Sequence, residues 1–265
     1  MNAVFNKQVV DFVSSLEIVF VFDYPFIRIP DKNIIIHLVP VQHCSNLKYF
    51  QELSIKYEEK GFLLIHLWED IWFTRQSLVE TRIRALLGQF TSIHARKTKV
   101  LKIDKLVLDN FLHEHHLQGS PQVKYKYGLF YLKKLVAVAS FGSSRPILRD
   151  GILYSSAELV RFANYRGYRV VGGLGKLLSA FVEDTHPDDI MTYADRDWSR
   201  GHSYGKMGFK YEGDTEPQIF YVHPTSYARY YSHRLPENIT EQVLLDDGYI
   251  RVSNAGSKKY IKRLR

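Results

Sequence analysis

Residues 192–209, Thr-Tyr-Ala-Asp-Arg-Asp-Trp-Ser-Arg-Gly-His-Ser-Tyr-Gly-Lys-Met-Gly-Phe, put Asp195 at what reads as a strand end. A polar turn follows, then Tyr204 with the spacing Tyr204-x-x-x-Gly208-Phe209. A carboxylate at the carboxyl end of a strand, beside a helix start, is suited to act as a base or to anchor an amine. The same position suits a helix N-cap, and either Asp195 or Asp197 could cap the helix that carries Tyr204. Tyr204 itself could be a proton donor or a ring packed beside Phe209. A second feature is Arg-Val-Val-Gly-Gly-Leu-Gly-Lys, residues 169–176, a glycine turn feeding a helix, where free N–H groups and the helix dipole favour an anion. A third is His113-Glu114-His115-His116. His113 and His116 are one helical turn apart, but a metal needs a third ligand that only carboxylates or distant histidines could supply. No metal is therefore expected, and a polar loop facing the substrate is.

The elements that must hold these residues can be read from periodicity. Apolar positions Val4, Phe5, Val9, Val10, Phe12, Val13 and Leu16 predict a first helix. Residues 17–30 and 32–41 are β-branched and aromatic around Pro30-Asp31-Lys32 and predict a strand pair. A helix stopping at Gly61, the buried strand Phe-Leu-Leu-Ile-His-Leu-Trp, and a helix with Asp70 near its start and Gly88 past its end complete a first α and β region. The basic stretch 94–103 reads as a connector. The second region follows the order helix (104–116), hairpin around Lys133-Lys134, strand (157–163), glycine turn and helix, strand (189–195), short helix, and strand (217–224). The tail, rich in Lys258, Lys259, Lys262, Arg263 and Arg265, reads as a solvated end or a phosphate-contacting arm.

Composition narrows the partners. With 265 residues and 45% hydrophobic content the chain can bury a core in one large or two modest domains. Thirty-six Lys and Arg against 28 Asp and Glu give +8, which favours a polyanionic partner such as nucleic acid or an acidic cofactor. Eighteen Tyr and 16 Phe suit surfaces that stack on planar ligands. Cys44 is the only cysteine, which excludes an intrachain disulfide framework and a cysteine-rich zinc site and suggests a reducing compartment, the cytoplasm. No stretch reaches the length of a membrane span, and the N-terminus lacks the pattern of a cleaved leader, so a soluble, unprocessed protein is expected.

The element order of residues 104–224, closing on Tyr-x-x-x-Gly-Phe, resembles the GNAT acyltransferase fold. The resemblance implies that the glycine turn meets the pyrophosphate of acetyl-CoA or a related acyl donor through Val170, Gly172, Gly173, Gly175 and Lys176. The pattern departs from the family where Gln or Arg is usual, since Val170 stands there and Arg169 is one place off. It also implies that Tyr204 returns a proton to the departing thiolate. Three ordered motifs, Phe-Leu-His-Glu-His-His-Leu-Gln-Gly, Ala-Glu-Leu-Val-Arg-Phe-Ala and the Tyr193-Ala194-Asp195 stretch, resemble the phage-type Mom proteins that modify adenine in DNA. That likeness implies that Asp195 orients or deprotonates the attacking amine, with Glu158, Arg161 and Tyr204 in the same cleft. The residues it implies at the substrate or nucleic acid are His115, His116, Gln118, Arg196, Arg200 and His202, joined by Arg96 and Lys97.

Residues 61–88 resemble the very-short-patch-repair type of PD-(D/E)XK endonuclease. Phe26 and His37 stand where its metal-binding acids are expected, so a nuclease relic is implied, kept for DNA or partner binding. The resulting picture is an α/β (α+β) chain. A degenerate restriction-endonuclease-like domain occupies 1–99, a GNAT-like mixed-sheet domain 100–224, and a basic extension 225–265. The function implied is group transfer to an amine, most simply a nucleobase in DNA of a bacterial or phage-infected cell. The alternatives are an inactive DNA-binding or assembly protein, and a metal-dependent endonuclease using His37, His43 and Glu69.

Overall fold

Residues 3–42, 46–149 and 151–265 are described in the computed structural model; His43 and Cys44 lie outside them. In chain order the first elements are α1 (Ala3–Ser14), β1 (Val21–Asp23), β2 (Phe26–Ile29), β3 (Ile34–Val39), α2 (Tyr49–Glu59), β4 (Leu63–Trp68) and α3 (Glu69–Leu86). Next come β5 (Thr91–His94), β6 (Lys99–Lys102), α4 (Lys105–His115), β7 (Tyr125–Tyr131), β8 (Lys134–Phe141), β9 (Arg145–Arg149), β10 (Ile152–Asn164) and β11 (Tyr168–Val171). The chain ends with α5 (Gly173–Thr185), β12 (Asp189–Asp195), α6 (His202–Gly205), β13 (Lys210–Asp214), β14 (Ile219–Val222), β15 (Arg229–Tyr231), α7 (Glu241–Asp246), β16 (Ile250–Ser253) and β17 (Ser257–Arg263). The fold is a mixed α/β (α+β) one. No described helix is long and apolar enough to cross a membrane.

Two compact units result. One comprises Met1–Gln76, Ala194–His202 and Gly213–Lys258, the other Ser77–Tyr193, Ser203–Glu212 and Lys259–Arg265. α3 leaves helical geometry at Arg75 (φ −139°, ψ 27°), next to the division. The boundaries drawn from the sequence at 99/100 and 224/225 do not coincide with these units.

The first unit is built on the order β1-β2-β3-β4. β3 and β4 pair in parallel from Ile34↔Leu63 to Val39↔Trp68, and β3 is buried throughout, as expected of parallel strands covered on both faces. Residues 17–30, expected as one strand, turn at Tyr24-Pro25 into the β1–β2 hairpin. β14, expected as the last strand of the second region, instead pairs with β15 and β16 from the supposed extension in a second sheet of this unit, and Phe220, Val222 and Val252 join Val39, Phe50 and Trp68 in one core. An apolar segment cannot remain a solvated tail when a core is available to cover it.

Buried charge in this unit is paired. Arg229 donates from Nε and Nη2 to both Asp70 carboxylate oxygens, each at 2.7 Å. Glu69 accepts from the Val41 N–H (3.1 Å) and the Tyr227 hydroxyl (3.0 Å). Asp197 accepts from the Ala255 N–H (2.8 Å) and the Trp68 indole (3.2 Å). Burial, and then the neighbouring Asp195 charge, hold the Asp197 carboxyl well above the ordinary carboxylate range. The native state therefore keeps a proton that the unfolded chain has released. That contribution is complete below the unfolded carboxyl value near ~3.9 and is lost as pH rises beyond it. Urea unfolding across pH is expected to show a declining limb above about pH 4, of at most ~1.4 kcal/mol per pH unit from this group. Asp197→Asn keeps one acceptor, starts less stable and removes that limb; an unchanged slope would refute the assignment.

The second unit holds most of an eight-stranded sheet ordered β13-β17-β12-β10-β8-β7-β6, with β9 paired on β10. The connector expected around 94–103 is instead the turn Ala95–Lys97 and the sheet strand β6. Val138 and Phe141 lie three apart on β8 and face opposite sides. Phe141 stacks on Phe181 of α5 at 4.0 Å, while Val138 packs with Leu108, Phe111 and Leu112 of α4. Helices thus cover both faces.

Candidate active site

In open α/β sheets, ligands gather at the carboxyl ends of parallel strands, where the backbone ladder opens. Here β10 and β12 are such a pair, linked by α5. Their parallel register runs from Ser156↔Asp189 to Leu159↔Thr192. The register of β10 against β8 shifts between Leu159 and Arg161, a bulge that re-aims the side chains beyond it. Two groups of side chains lie where the ladder stops, Glu158 with Tyr193 and Tyr204 with Thr192, and the charge of Arg161 bears on both.

Tyr204 is placed by its own motif. Gly208 adopts φ 82°, which ends α6, and the Phe209 N–H turns back to the Tyr204 carbonyl at 3.1 Å. The Tyr204 ring then meets Phe209 and Tyr260, both at 5.6 Å. Packing and chemistry are not exclusive here. Burial raises the phenol above its ordinary value, opposed by a hydrogen bond with Thr192 and by the charges of Arg82 and Arg161. The hydroxyl stays protonated in neutral solution, as a proton donor requires. Thr192 in turn donates to the Leu159 carbonyl (3.0 Å).

Glu158 is half-buried, and desolvation raises its carboxyl against the opposing charges of Arg145 and Arg161. The Tyr193 hydroxyl is raised by burial and then by Glu158. A carboxylate lifted in this way, with two cations opposing the shift, has the character of a general base. Asp195 belongs to the first unit, where its Oδ1 accepts the Asp197 N–H at 3.0 Å and its carbonyl the Trp198 N–H at 3.2 Å. This is a side-chain-closed turn, ahead of any helix.

The glycine turn is tighter than its sequence suggests. Gly172 is left-handed (φ 77°) and opens α5 without a side-chain cap. A Cβ on Gly173 would lie 2.9 Å from that of Val170, whereas one on Gly175 meets nothing within 4 Å. Val170 is buried, and its N–H is bound to the Asn164 side chain at 3.0 Å. Lys176 does not project toward a ligand as expected: its ammonium donates to the carbonyls of Ala95 (3.0 Å) and Thr98. The donor groups left to this turn are the first N–H groups of α5.

His116 accepts the Gln118 N–H at Nδ1 (3.1 Å), and burial with Arg161 and Arg82 nearby pushes its imidazole down to about 3. His115 lies between Phe111 and Tyr165, each at 4.4 Å, and is lowered by burial. Arg96, Lys97, Gln118 and His202 are exposed. Arg200 donates to the Gly61 carbonyl (2.6 Å). Arg196, expected on a nucleic-acid-facing surface, is buried and ion-paired with Asp214 and, at 3.9 Å, Glu58. Sequence reasoning missed Arg82, because it sits on the helix assigned to the other domain, and Thr192, because a threonine in a strand carries no chemical signal.

No three His, Cys, Asp or Glu among the described residues are grouped to hold a metal. His37 shares Nδ1–Nδ1 contact with His66 at 3.0 Å in the core, and Glu69 is occupied as above. The nuclease reading through these two therefore finds both engaged by protein; its third member, His43, lies outside the described residues.

No family model and no curated protein matches the sequence. Among solved structures, the chain is similar to a GNAT family acetyltransferase from Elizabethkingia anophelis with acetyl-CoA bound, at 12% identity and TM-score 0.36, covering 63% of this chain and 99% of that one. A Bacillus subtilis acetyltransferase in complex with CoA matches at 15% identity and TM-score 0.36, covering 64% and 100%. The ribosomal-protein-S18-alanine N-acetyltransferase from Escherichia coli matches at 11% and 0.37, covering 63% and 94%. At these values the likeness does not decide chemistry, and the site's own residues must.

Proposed function

We propose that the protein is a GNAT-like N-acyltransferase that takes an acyl group from acyl-CoA and places it on an amine. The observation that carries the reading is that the Arg161 charge bears on both Glu158 and the Tyr204 hydroxyl near the open end of the β10–β12 pair, in the unit whose α5 begins with an uncapped glycine turn. The α5 N–H groups would hold the donor's pyrophosphate, and the thioester would extend toward Tyr204. The amine nitrogen attacks the thioester carbonyl carbon, a C–N bond forms and the C–S bond breaks. Glu158 takes the proton released by nitrogen, and Tyr204 gives its proton to the departing thiolate. Asp195 is assigned to its turn in place of the base role. The finer reading is that the amine belongs to a nucleobase in DNA, with the first unit serving DNA or partner binding. The +8 charge and the three ordered motifs support it.

The donor site has a selective test. Gly175→Asp adds a side chain into open space at a helix start, where a carboxylate favours the helix. It also places negative charge against the pyrophosphate. Acetyl-CoA is expected to raise the melting temperature of the parent, by an amount equivalent to about 2.7 kcal/mol at a hundredfold excess over Kd. The variant is expected to fold as well or better and to lose that response. An equal response in both would sink the donor assignment. For the acceptor, nucleosides from DNA co-expressed with the protein should show an added mass that is absent with Glu158→Gln; an unshifted digest counts against the DNA reading.

A further inference from the structure

The carboxyl end of β10 and the turn after it, with the second half of α3 and the end of α4, enclose a pocket of about 200 Å³. Phe162, Tyr165 and Tyr168 give it aromatic lining, and its polar lining includes His115, His116 and Asn164. Each of these three keeps one hydrogen-bonding position open. Burial, with Arg161 and Arg82 nearby, pushes the His116 imidazole down to about 3, so the ring is neutral. Its Nδ1 accepts the Gln118 N–H, which places the proton on Nε2, and no described residue accepts from that nitrogen. Asn164 gives its Oδ1 to the Val170 N–H, and no described residue accepts from its NH2 group. His115 is lowered by burial, its side chain is only 3% exposed, and its Nδ1 has no hydrogen-bond partner among the described residues. The Glu114 carboxylate lies 3.8 Å from the His115 Nε2 and draws the single proton of the neutral ring to that side, which leaves Nδ1 an acceptor.

A buried nitrogen left without a partner is costly, and a ligand that supplies one relieves that cost on binding. The open positions are one acceptor and two donors, all on uncharged groups. They match an uncharged ring that carries an N–H group beside ring nitrogens, as a nucleobase does. A cavity of about 150 Å³ accepts a benzene ring, so about 200 Å³ has room for the one or two rings of a base and leaves its sugar and phosphate outside. Aromatic lining suits such a ring on its flat faces. The pocket also shares its electrostatics with the candidate site. Arg82, which lines it, bears on the Tyr204 hydroxyl, and Arg161 bears on His116, Glu158 and Tyr204 alike. We infer that this pocket receives the ring of a nucleobase acceptor, with His115 Nδ1, His116 Nε2 and the Asn164 NH2 group reading its edge. The inference rests on the acyltransferase reading for the word acceptor alone. The adenine of the donor is a second source of the same chemistry. It belongs elsewhere, because it lies at the far end of the pantetheine arm from the thioester, and the thioester is the end assigned to Tyr204.

The test uses the full chain and deoxyadenosine as probe, with the ring signals of His115 and His116 followed by NMR. The nucleoside is expected to move both signals saturably, where deoxyribose 5-phosphate does not. His115→Phe keeps a ring between Phe111 and Tyr165 and removes the unmet nitrogen. It should therefore melt no lower than the parent and yet bind the nucleoside about tenfold more weakly, read from the His116 signal. Asn164→Asp keeps the acceptor for the Val170 N–H and loses the donor, so it should weaken binding by a similar factor and keeps the test intact if His115→Phe fails to fold. Lys99→Gln on exposed β6 should leave the affinity unchanged. An oligodeoxynucleotide with an unpaired adenine that binds more tightly than the nucleoside assigns the ring to DNA, and equal binding assigns it to a free nucleoside; both uphold the pocket. Unmoved signals, parent-like affinity in the His115 and Asn164 variants, or displacement of the nucleoside by acetyl-CoA would each overturn the inference. Loss of the acetyl-CoA melting response, by contrast, would strike the acyltransferase reading and not this one.

Discussion

Arg229→Met is expected to lower the unfolding free energy by about 3–5 kcal/mol, the cost of leaving a buried carboxylate without its cation. Asp70 is 1% exposed, and both of its oxygens are held by the same guanidinium at 2.7 Å. Arg229 also lies 3.9 Å over the Phe220 ring, so methionine keeps the apolar stem packed and isolates the loss of charge. The control is a second variant, Asp70→Leu with Arg229→Met, which removes both charges. It should lose much less than Arg229→Met alone, since a buried ion pair replaced by apolar groups of similar volume is often neutral. Urea unfolding of the single and double variants gives the comparison. A single-variant loss below ~1 kcal/mol would mean that Asp70 is solvated and that the pair is a surface one.

The same pair shows where sequence reasoning stops. Asp70 was legible as an acid near a helix start, a reading that helix electrostatics support. Nothing in the stretch around Arg229 announces a partner so far along the chain, because a buried pair leaves no local period. Local patterns served better. The apolar runs of β3 and β4, the glycine turn into α5 and the hairpin β7–β8 are each set by neighbours within a few residues, and all three were readable. Residues 257–263 misled for the opposite reason. Lys258 and Lys262 look solvated, yet one ammonium is bound by Glu58 at 2.6 Å and the other by the Met207 carbonyl at 2.8 Å, while Tyr260 and Ile261 between them are buried. β17 thereby enters the sheet between β12 and β13. The parallel pairing of β5 with β11 was equally hidden, since strands of four residues are too short to carry an alternation to read. At the candidate site, Glu158, Arg161 and Tyr204 were visible as chemical types in ordered motifs. Lys176 and Arg196 were not distinguishable from ligand-binding cations, because what decides their role is a carbonyl or a carboxylate supplied by a remote segment.

Glu158→Gln is expected to lower kcat for acyl transfer by about 10²–10⁴-fold, the usual range for loss of a general base. The pH profile separates this role from a structural one. Burial raises the Glu158 carboxyl, so activity of the parent should rise along an acid limb placed above the ordinary glutamate value and level off once the carboxylate is ionised. The glutamine variant has no such group, and its residual rate should lack that limb or follow the amine's own ionisation. If the variant loses rate but keeps the limb unchanged, the base is another residue and Asp195 becomes the next to replace. Tyr204→Phe supplies the opposite half of the argument. Its ring contacts with Phe209 and Tyr260 survive the change, so stability should fall only by about 1 kcal/mol for the lost Thr192 hydrogen bond while kcat falls far more. The loss should be largest for thioesters with poor leaving groups, because only a departing thiolate that needs a proton depends on the phenol. A uniform loss across leaving groups of different acidity would assign Tyr204 to packing alone.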